Sequence, residues 1–185
     1  MLKKIATLAA CLAAVTAGAV TYAAATATQM GARPTEHHAR VMADLGTWKG
    51  EGKMYVPGLP ASSFSGMEVN TKLGEFWLVS KFTSEIMGLP FEGLATAGYD
   101  PQKKKFVGTW IDVMNPTMSV MEGAIEDGLL VYRYEQHNAM TGKYEKIKSV
   151  HSETRDGKRT FKSYTIAADG SETLSMEIEY TRVGG

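Results

Sequence analysis

Hydrophobic and polar positions alternate with a period of two along most of the chain. In residues 47–56 the even positions carry Trp48, Gly50, Gly52, Met54 and Val56, whereas the odd positions are mostly polar. This alternation is typical of a strand with one buried face and one solvated face. The two glycines on the apolar face indicate that another element approaches the backbone closely there.

The same pattern predicts ten strands in succession. Turn signals such as Glu126-Asp127-Gly128, Asp156-Gly157 and Asp169-Gly170 separate them. The predicted strands are Thr47–Val56, Phe64–Leu73, Glu75–Ile86, Phe91–Tyr99, Lys105–Asp112, Thr117–Glu126, Leu129–Gln136, Lys143–Thr154, Lys158–Ile166 and Glu172–Arg182. No connection between them is long enough for a crossover helix, and closure would remove the exposed sheet edges. We therefore predict an all-β fold, a closed antiparallel meander β-barrel of about ten strands.

One short helix is predicted before the first strand. Thr35 is a good N-cap, and an apolar stripe that includes His38, Val41 and Leu45 follows until Gly46 ends the helix. This helix is expected to cap one end of the barrel. The strand Glu75–Ile86 is apolar on both faces, so we expect the helix or a partner subunit to cover its outer face.

The N-terminal residues have the pattern of a secretory signal peptide. Two lysines precede the uncharged run Ile5–Val20, which small residues follow at cleavage spacing. We place the cut after Ala27, with Ala25 as the second choice. The expected organisation is a signal peptide over 1–27, a leader over 28–34 and the barrel over 35–185, in a periplasmic or secreted protein. Lipidation at Cys11 and an uncleaved anchor are the alternatives; the run is short for a membrane span.

Composition excludes several classes of function. The chain has 20 basic and 20 acidic residues, and loss of two lysines with the signal leaves a slightly acidic protein. Because phosphate binding needs a basic surface, we predict no nucleic-acid partner. Cys11 is the single cysteine. A chain cut after Ala27 therefore has no disulfide, thiolate metal site or cysteine nucleophile.

Several motifs carry a resemblance to known families. Gly46-Thr47-Trp48 resembles the Gly-x-Trp signature of lipocalin-like calycin barrels, and Leu45–Gly52 resembles the first strand of nitrobindin-type barrels. The chain as a whole, over about Thr35 to Arg182, is most similar to the bacterial family catalogued as domain of unknown function 1579. The segments that carry this likeness are Leu73–Ser80, Gly88–Gly93, Gly98–Asp112, Met140–Lys143 and Met176–Arg182.

The resemblance implies a calycin-like barrel and no established activity. Nitrobindin-type barrels bind haem through a histidine on a late strand, and His151 is the histidine on a late strand here. Its neighbours do not reproduce a recognisable haem motif, and its flanking lysines favour an outward orientation. His151 is therefore a weak metal candidate. His37 and His38 are adjacent on the helix, which is the wrong spacing for a metal pair.

The candidate ligand-binding residues are those expected to face the barrel interior. They are Trp48, Trp77, Phe106, Trp110, Asp112, Met118 and Glu122. Asp112 could instead cap the turn before Asn115, and Glu122 could instead be exposed. The abundant methionines either fill the core or line an adaptable cavity.

We expect an exported protein that binds a small apolar or amphipathic molecule in the barrel lumen. One alternative is a haem or metal-centre binder that uses His151. Another is an enzyme that acts on a small apolar substrate with Asp112 or Glu122 as acid or base, although the sequence contains no recognised catalytic motif. A further alternative is a homodimer formed through the strand around residues 76–82. No catalytic residue, membrane span or resident cofactor is predicted.

Overall fold

The computed structural model describes residues 32–86, 88–139 and 141–184. The predicted signal peptide, its cleavage sites and Cys11 lie outside these residues. The unit that contains the predicted barrel comprises Pro34–Gly185.

The described residues form a closed antiparallel barrel of ten strands, which confirms the predicted fold. Each strand pairs with its neighbours in sequence, and the first strand also pairs with the last. The strands are β1 (Gly46–Met54), β2 (Ser62–Leu73), β3 (Trp77–Ile86), β4 (Leu89–Asp100), β5 (Lys105–Asp112), β6 (Asn115–Glu126), β7 (Leu129–Asn138), β8 (Lys143–His151), β9 (Lys158–Ile166) and β10 (Glu172–Gly184). Closure joins Gly50 of β1 to Tyr180 of β10 on one side and to Gly66 of β2 on the other.

The predicted helix is present as α1 (Glu36–Met42). Thr35 is its N-cap, and the backbone N–H of Thr35 donates to Nδ1 of His38 at 2.9 Å. Val41 is 4% exposed and packs on Leu78, Phe106 and Tyr132. The helix therefore plugs one end of the barrel, as predicted.

The two ends of the barrel carry different connecting segments. We call the end that carries α1 the helix end; it also holds the turns 73–77, 100–105 and 126–129 and the longer connection 151–158. The opposite end is the loop end, and it holds the hairpin connections 54–62, 86–89, 112–115, 138–143 and 166–172.

Trp48 lies at the centre of the interior. Its side chain is fully buried, and it packs with Phe82, Ile178 and Tyr180. Its Nε1 donates to the backbone carbonyl of Asp44 at 2.8 Å, which ties the first strand to the residues that follow α1. The predicted apolar face of the first strand thus faces the interior.

The helix does not cover the outer face of β3, which was one of the two covers predicted for it. Trp77 is 39% exposed on this face, and α1 packs against the barrel end rather than over the wall. Within the described ranges this apolar face is therefore uncovered, and coverage by a partner subunit stays a prediction.

Candidate functional site in the barrel interior

Strand register identifies which side chains face the interior. Cross-strand partners share one face of a sheet, and Trp48 pairs with Glu68, which pairs with Phe82. Continuing around the barrel, Phe82 pairs with Gly93, and Gly93 pairs with Asp112. Phe106 and Trp110 lie on the same face of β5 as Asp112.

The interior is packed more tightly towards the helix end than towards the loop end. Near α1, Leu78, Phe106 and Tyr132 are at most 4% exposed. Towards the loop end, Phe64, Phe91, Trp110 and Met176 are only half-buried, although they pack against the second core cluster, which contains Trp48, Phe82, Ile178 and Tyr180. The accessible apolar surface of the interior is therefore concentrated in the loop-end half.

Trp110 and Asp112 form the polar contact at this half of the interior. Nε1 of Trp110 donates to Oδ2 of Asp112 at 2.8 Å, and the Trp110 ring stacks on Phe91 with centroids 6.4 Å apart. Oδ1 of Asp112 accepts from the backbone N–H of Met114 at 2.9 Å, so this carboxylate also caps the following turn. No Lys, Arg or His side chain forms an ion pair with Asp112 in the described part of the chain.

Met118 and Glu122 were expected to face the lumen, and this placement is wrong. The interior residues of β6 are Ser119, Met121 and Gly123, because these pair with Trp110, Gly108 and Phe106. Met118 is 58% exposed on the outer wall. Glu122 accepts from Nζ of Lys103 at 2.8 Å, and this hydrogen bond lowers the pKa of its exposed carboxyl. Glu122 is therefore exposed, which was the alternative to a lumen position.

The lumen placement of Trp77 is also wrong. Trp77 pairs with Gly98, and its ring lies against that glycine on the outer wall. Three of the seven candidate residues thus point outward. Trp48 and Phe106 point inward but are completely packed, which leaves Trp110 and Asp112 as the partly accessible interior candidates.

His151 faces the interior, in contrast to the outward orientation that its flanking lysines favoured. It pairs with Leu130 and Phe161, which belong to the core, and its ring contacts Tyr132 and Phe161 at centroid distances of 5.6 and 5.0 Å. Burial, with the positive charges of Arg159 and Arg40, lowers the pKa of His151 to about 3. The imidazole is therefore neutral at physiological pH. Glu153, two residues further along the chain, is exposed and pairs with Arg155.

The surroundings of His151 do not fit a haem. Nε2 lies 3.4 Å from Oγ of Ser149, which is 1% exposed, and two aromatic rings contact the imidazole edge-on. A porphyrin bound at this nitrogen would have to displace packed side chains. Among the described residues, no three His, Cys, Asp or Glu side chains are grouped so that they could hold a metal ion.

A buried charged cluster near the helix end was missed by sequence reasoning. Arg159 is 6% exposed; its Nη2 lies 2.5 Å from Oε1 of Glu68, and its Nε lies 3.9 Å from Oδ1 of Asp44. Its guanidinium also lies 4.0 Å from the centroid of the Tyr180 ring and 4.7 Å from that of Trp48. The sequence does contain one sign of this cluster, because Glu68 is a charged residue at an even-numbered position of β2, on the strand face that points inward.

Some polar atoms around this cluster are buried without a hydrogen-bond partner among the described residues. They are Oδ1 of Asn70, the hydroxyl of Tyr132 and Nε of Arg159. Burial raises the pKa of Tyr132 far above its ordinary value, so this hydroxyl is a neutral donor. The helix-end half of the interior is thus polar at its centre and apolar around it.

In the described ranges, no helix has the length and apolar character that crossing a membrane requires.

Comparisons with known proteins agree with the barrel architecture. The crystal structure of Rv2717c from M. tuberculosis aligns with a TM-score of 0.58 at 11% sequence identity, covering 82% of this chain and 99% of that chain. At this identity the likeness shows the fold alone. No curated protein matches the chain. Residues 33–182 match the family described as "Protein of unknown function (DUF1579)", and the chain belongs to that family.

Proposed function

We propose that this protein binds a small apolar or amphipathic molecule in the loop-end half of the barrel interior. The observation that carries the proposal is the difference in packing along the barrel. Near α1, Phe106 and Tyr132 are at most 3% exposed, whereas Phe64, Phe91 and Trp110 keep accessible surface towards the loop end. Ligand pockets are typically apolar and contain a few placed polar groups.

Asp112 is the group that would orient the polar end of the ligand. Its two oxygens each accept one hydrogen bond within the protein and have further lone pairs for a donor. Because no basic side chain of the described residues neutralises it, a cationic or donor head group is favoured over an anionic one. The adjacent indole of Trp110 also attracts a cation.

The first experiment asks whether a ligand is bound at all. Native mass spectrometry after mild purification should detect a retained small molecule, and chain-matched dodecylammonium and dodecanoate below their micellar concentrations should serve as probes. We expect dodecylammonium to bind at least about tenfold more tightly than dodecanoate. A chain that retains no ligand and binds neither probe would overturn the proposal.

The structure supplies matched controls for each residue in this proposal. Trp110→Ala should weaken binding of both probes, whereas Trp77→Ala removes the same side chain from the outer wall and should leave binding unchanged. Asp112→Asn should abolish the preference for the cationic probe, whereas Glu122→Gln removes an outward carboxylate and should preserve it. Equal effects within either pair would contradict an interior site.

The haem alternative depends on His151, whose inward orientation and neutral imidazole favour it. The packed Ser149 beside Nε2 opposes it, and for that reason we rank the amphipathic ligand first. Haem should be titrated into the wild-type protein and into His151→Ala while visible absorption is recorded. A histidine-dependent Soret band would establish the haem alternative, and identical spectra would exclude His151 as a haem ligand.

Export remains our proposal for localisation. It rests on the apolar run Ile5–Val20 and the small residues that follow it. The mass of the mature protein recovered after expression of the full chain should correspond to a start at Thr28. An intact N-terminus in the cytoplasmic fraction would contradict it.

A further inference from the structure

The outer surface of the barrel has two walls of opposite character. On β2 to β6 the outward side chains are mainly apolar or threonine, and we call this surface the apolar wall. Its exposed large residues are Met67, Val69, Trp77, Leu94, Ile111, Met118 and Val120. The outward positions on β7 to β10 and β1 are mostly charged and include Arg133, Lys148, Lys162, Glu177, Glu179 and Glu51.

Register makes the apolar wall continuous rather than scattered. Val79, Thr96, Thr109 and Val120 are direct cross-strand neighbours, one on each of four adjacent strands. The hydroxyls of Thr96 and Thr109 hydrogen-bond to each other at 2.8 Å, so their polar atoms are already satisfied. Contiguous apolar surfaces of this kind mark interaction sites in soluble proteins.

A second row along the same wall is also mostly apolar. It runs through Val69, Lys81, Leu94 and Ile111. Lys81 pairs with Glu92 at 2.9 Å, so the central part of the wall carries one charge of each sign. A surface that is neutral and contains both partners of an ion pair is complementary to a copy of itself, since Lys81 of each copy can face Glu92 of the other.

The size of the apolar wall suits a weak dimer. Five of the ten strands of a closed barrel form a convex surface, so only about three strands, roughly 15 Å wide and 20 Å long, face one partner. Two such surfaces bury less than the roughly 1,200 Å² at which stable interfaces begin, which is the range of weak, transient contacts.

We infer that two copies of this chain associate through the apolar wall, packed sheet on sheet across a two-fold axis centred on β4 and β5. The occupant is a second copy because the centre of the wall carries the self-complementary pair Lys81 and Glu92. The basic residues of the turn at the helix end do not favour an anionic membrane or nucleic acid, since Lys103 is paired with Glu122 and acidic residues outnumber basic ones at the outward positions of β2 to β6. The inference is independent of the ligand proposal, since it uses only outward side chains.

Sedimentation velocity over about 1–200 µM protein tests this inference. We expect a concentration-dependent dimer whose dissociation constant increases roughly a hundredfold in the double variant Ile111→Lys/Val120→Lys, because each copy then places two lysines in the interface. The matched control is Tyr144→Lys/Val183→Lys, which replaces apolar residues of similar exposure elsewhere and should dimerise as the wild type does.

Thermal melts of both double variants should be recorded as a control, and we expect melting temperatures close to that of the wild type because the substituted residues are exposed. A wild-type protein that remains monomeric at 200 µM would overturn the inference, whether or not it binds vesicles or other proteins. A dimer that persists unchanged in Ile111→Lys/Val120→Lys would overturn it as well, since the interface would then lie elsewhere.

Discussion

In the described part of the chain, five inner-wall glycines each lie against an aromatic ring. A Cβ would overlap the neighbouring ring at four of these positions and would meet it at a tight 3.0 Å at Gly50. The pairs are Gly50 with Tyr180, Gly52 with Phe64, Gly66 with Phe82, Gly93 with Trp110 and Gly123 with Tyr132. The absence of a Cβ therefore lets large rings lie close against the inner wall.

Gly93→Ala tests this arrangement at the proposed ligand site. A Cβ at position 93 would overlap Cη2 and Cζ2 of Trp110, so the indole has to move and its hydrogen bond to Asp112 is lost. We expect a loss of about 1–3 kcal/mol in the free energy of unfolding, measured by urea denaturation, and a shifted tryptophan emission. Gly184→Ala is the control, because its Cβ would meet Thr47 at an ordinary 3.6 Å. Equal stability of the two variants would contradict the packing argument.

The buried His151 predicts a specific pH dependence of stability. Burial lowers its pKa in the folded state from 6.5 to about 3, whereas in the unfolded chain the imidazole titrates near its ordinary value. The folded protein therefore binds fewer protons, so the stability contributed by neutral His151 is complete above about pH 6.5. It decreases as the pH falls towards 3, by at most about 1.4 kcal/mol per pH unit.

The measurement is the free energy of unfolding of wild type and His151→Gln between pH 7 and pH 4. Below pH 6.5 the wild type should lose stability faster than the variant, whereas His37→Gln should retain the wild-type pH dependence. An NMR titration in which the His151 ring protonates near pH 6.5 would contradict the prediction.

Residue orientation was the part of the candidate site that sequence reasoning predicted least well. On β5 the two aromatic residues and Asp112 fall on one face, so Phe106, Trp110 and Asp112 were placed inside correctly. On β6 the outward face carries Met118 and Val120, and the inward face carries Ser119 and Gly123. Hydrophobicity therefore indicated the wrong face, because small inward residues accommodate the rings of neighbouring strands.

At the scale of elements, turn residues located the strands. Gly128, Gly142 and Gly157 adopt positive φ in three of the hairpin connections, which is the conformation that glycine allows. The strands β5 and β9 were predicted with the bounds they have. The largest difference occurs where a pattern continues past the pairing, since β8 ends at His151 rather than Thr154. In the same way, β3 begins at Trp77 rather than Glu75, because Gly74 starts a turn.

The helix α1 is too short to be stable alone, and Arg182 of β10 secures its C-terminal end. Nη1 donates to the carbonyl of Leu45, and Nη2 donates to that of Ala43 at 2.9 Å. The guanidinium also lies 4.2 Å from the centroid of the Trp48 ring. One side chain of the last strand thus joins the helix to the first strand, which closes the helix end of the barrel.

Arg182→Ala should therefore release α1 more than it disturbs the barrel. We expect a loss of about 2–3 kcal/mol in the free energy of unfolding, because two carbonyls lose a charged donor. Amide exchange in residues 38–45 should accelerate more than exchange in β4 and β5. Arg155→Ala, which removes an exposed arginine from the connection before β9, should change neither quantity measurably. Uniform acceleration across the barrel would show that Arg182 supports the whole fold instead.

At the scale of the whole molecule, closure of the sheet turns sequence alternation into two separate surfaces. The interior holds the aromatic and charged side chains around Trp48, and the exterior divides into the apolar wall and a charged wall. The alternation predicted that an interior exists. It did not predict which residues are neighbours on the apolar wall, because that depends on the register of five strands together.

This separation predicts that ligand binding and dimerisation respond to different substitutions. Ile111→Lys/Val120→Lys changes only outward side chains, so the monomeric variant should bind dodecylammonium with the wild-type affinity. Trp110→Ala and Asp112→Asn change only inward side chains and should sediment as the wild-type dimer does. Measuring dodecylammonium binding and sedimentation on all three variants should show that each variant is weakened in one property and unchanged in the other. If instead the monomeric variant also lost the ligand, the site would lie at the dimer interface, and the interior site proposed here would be wrong.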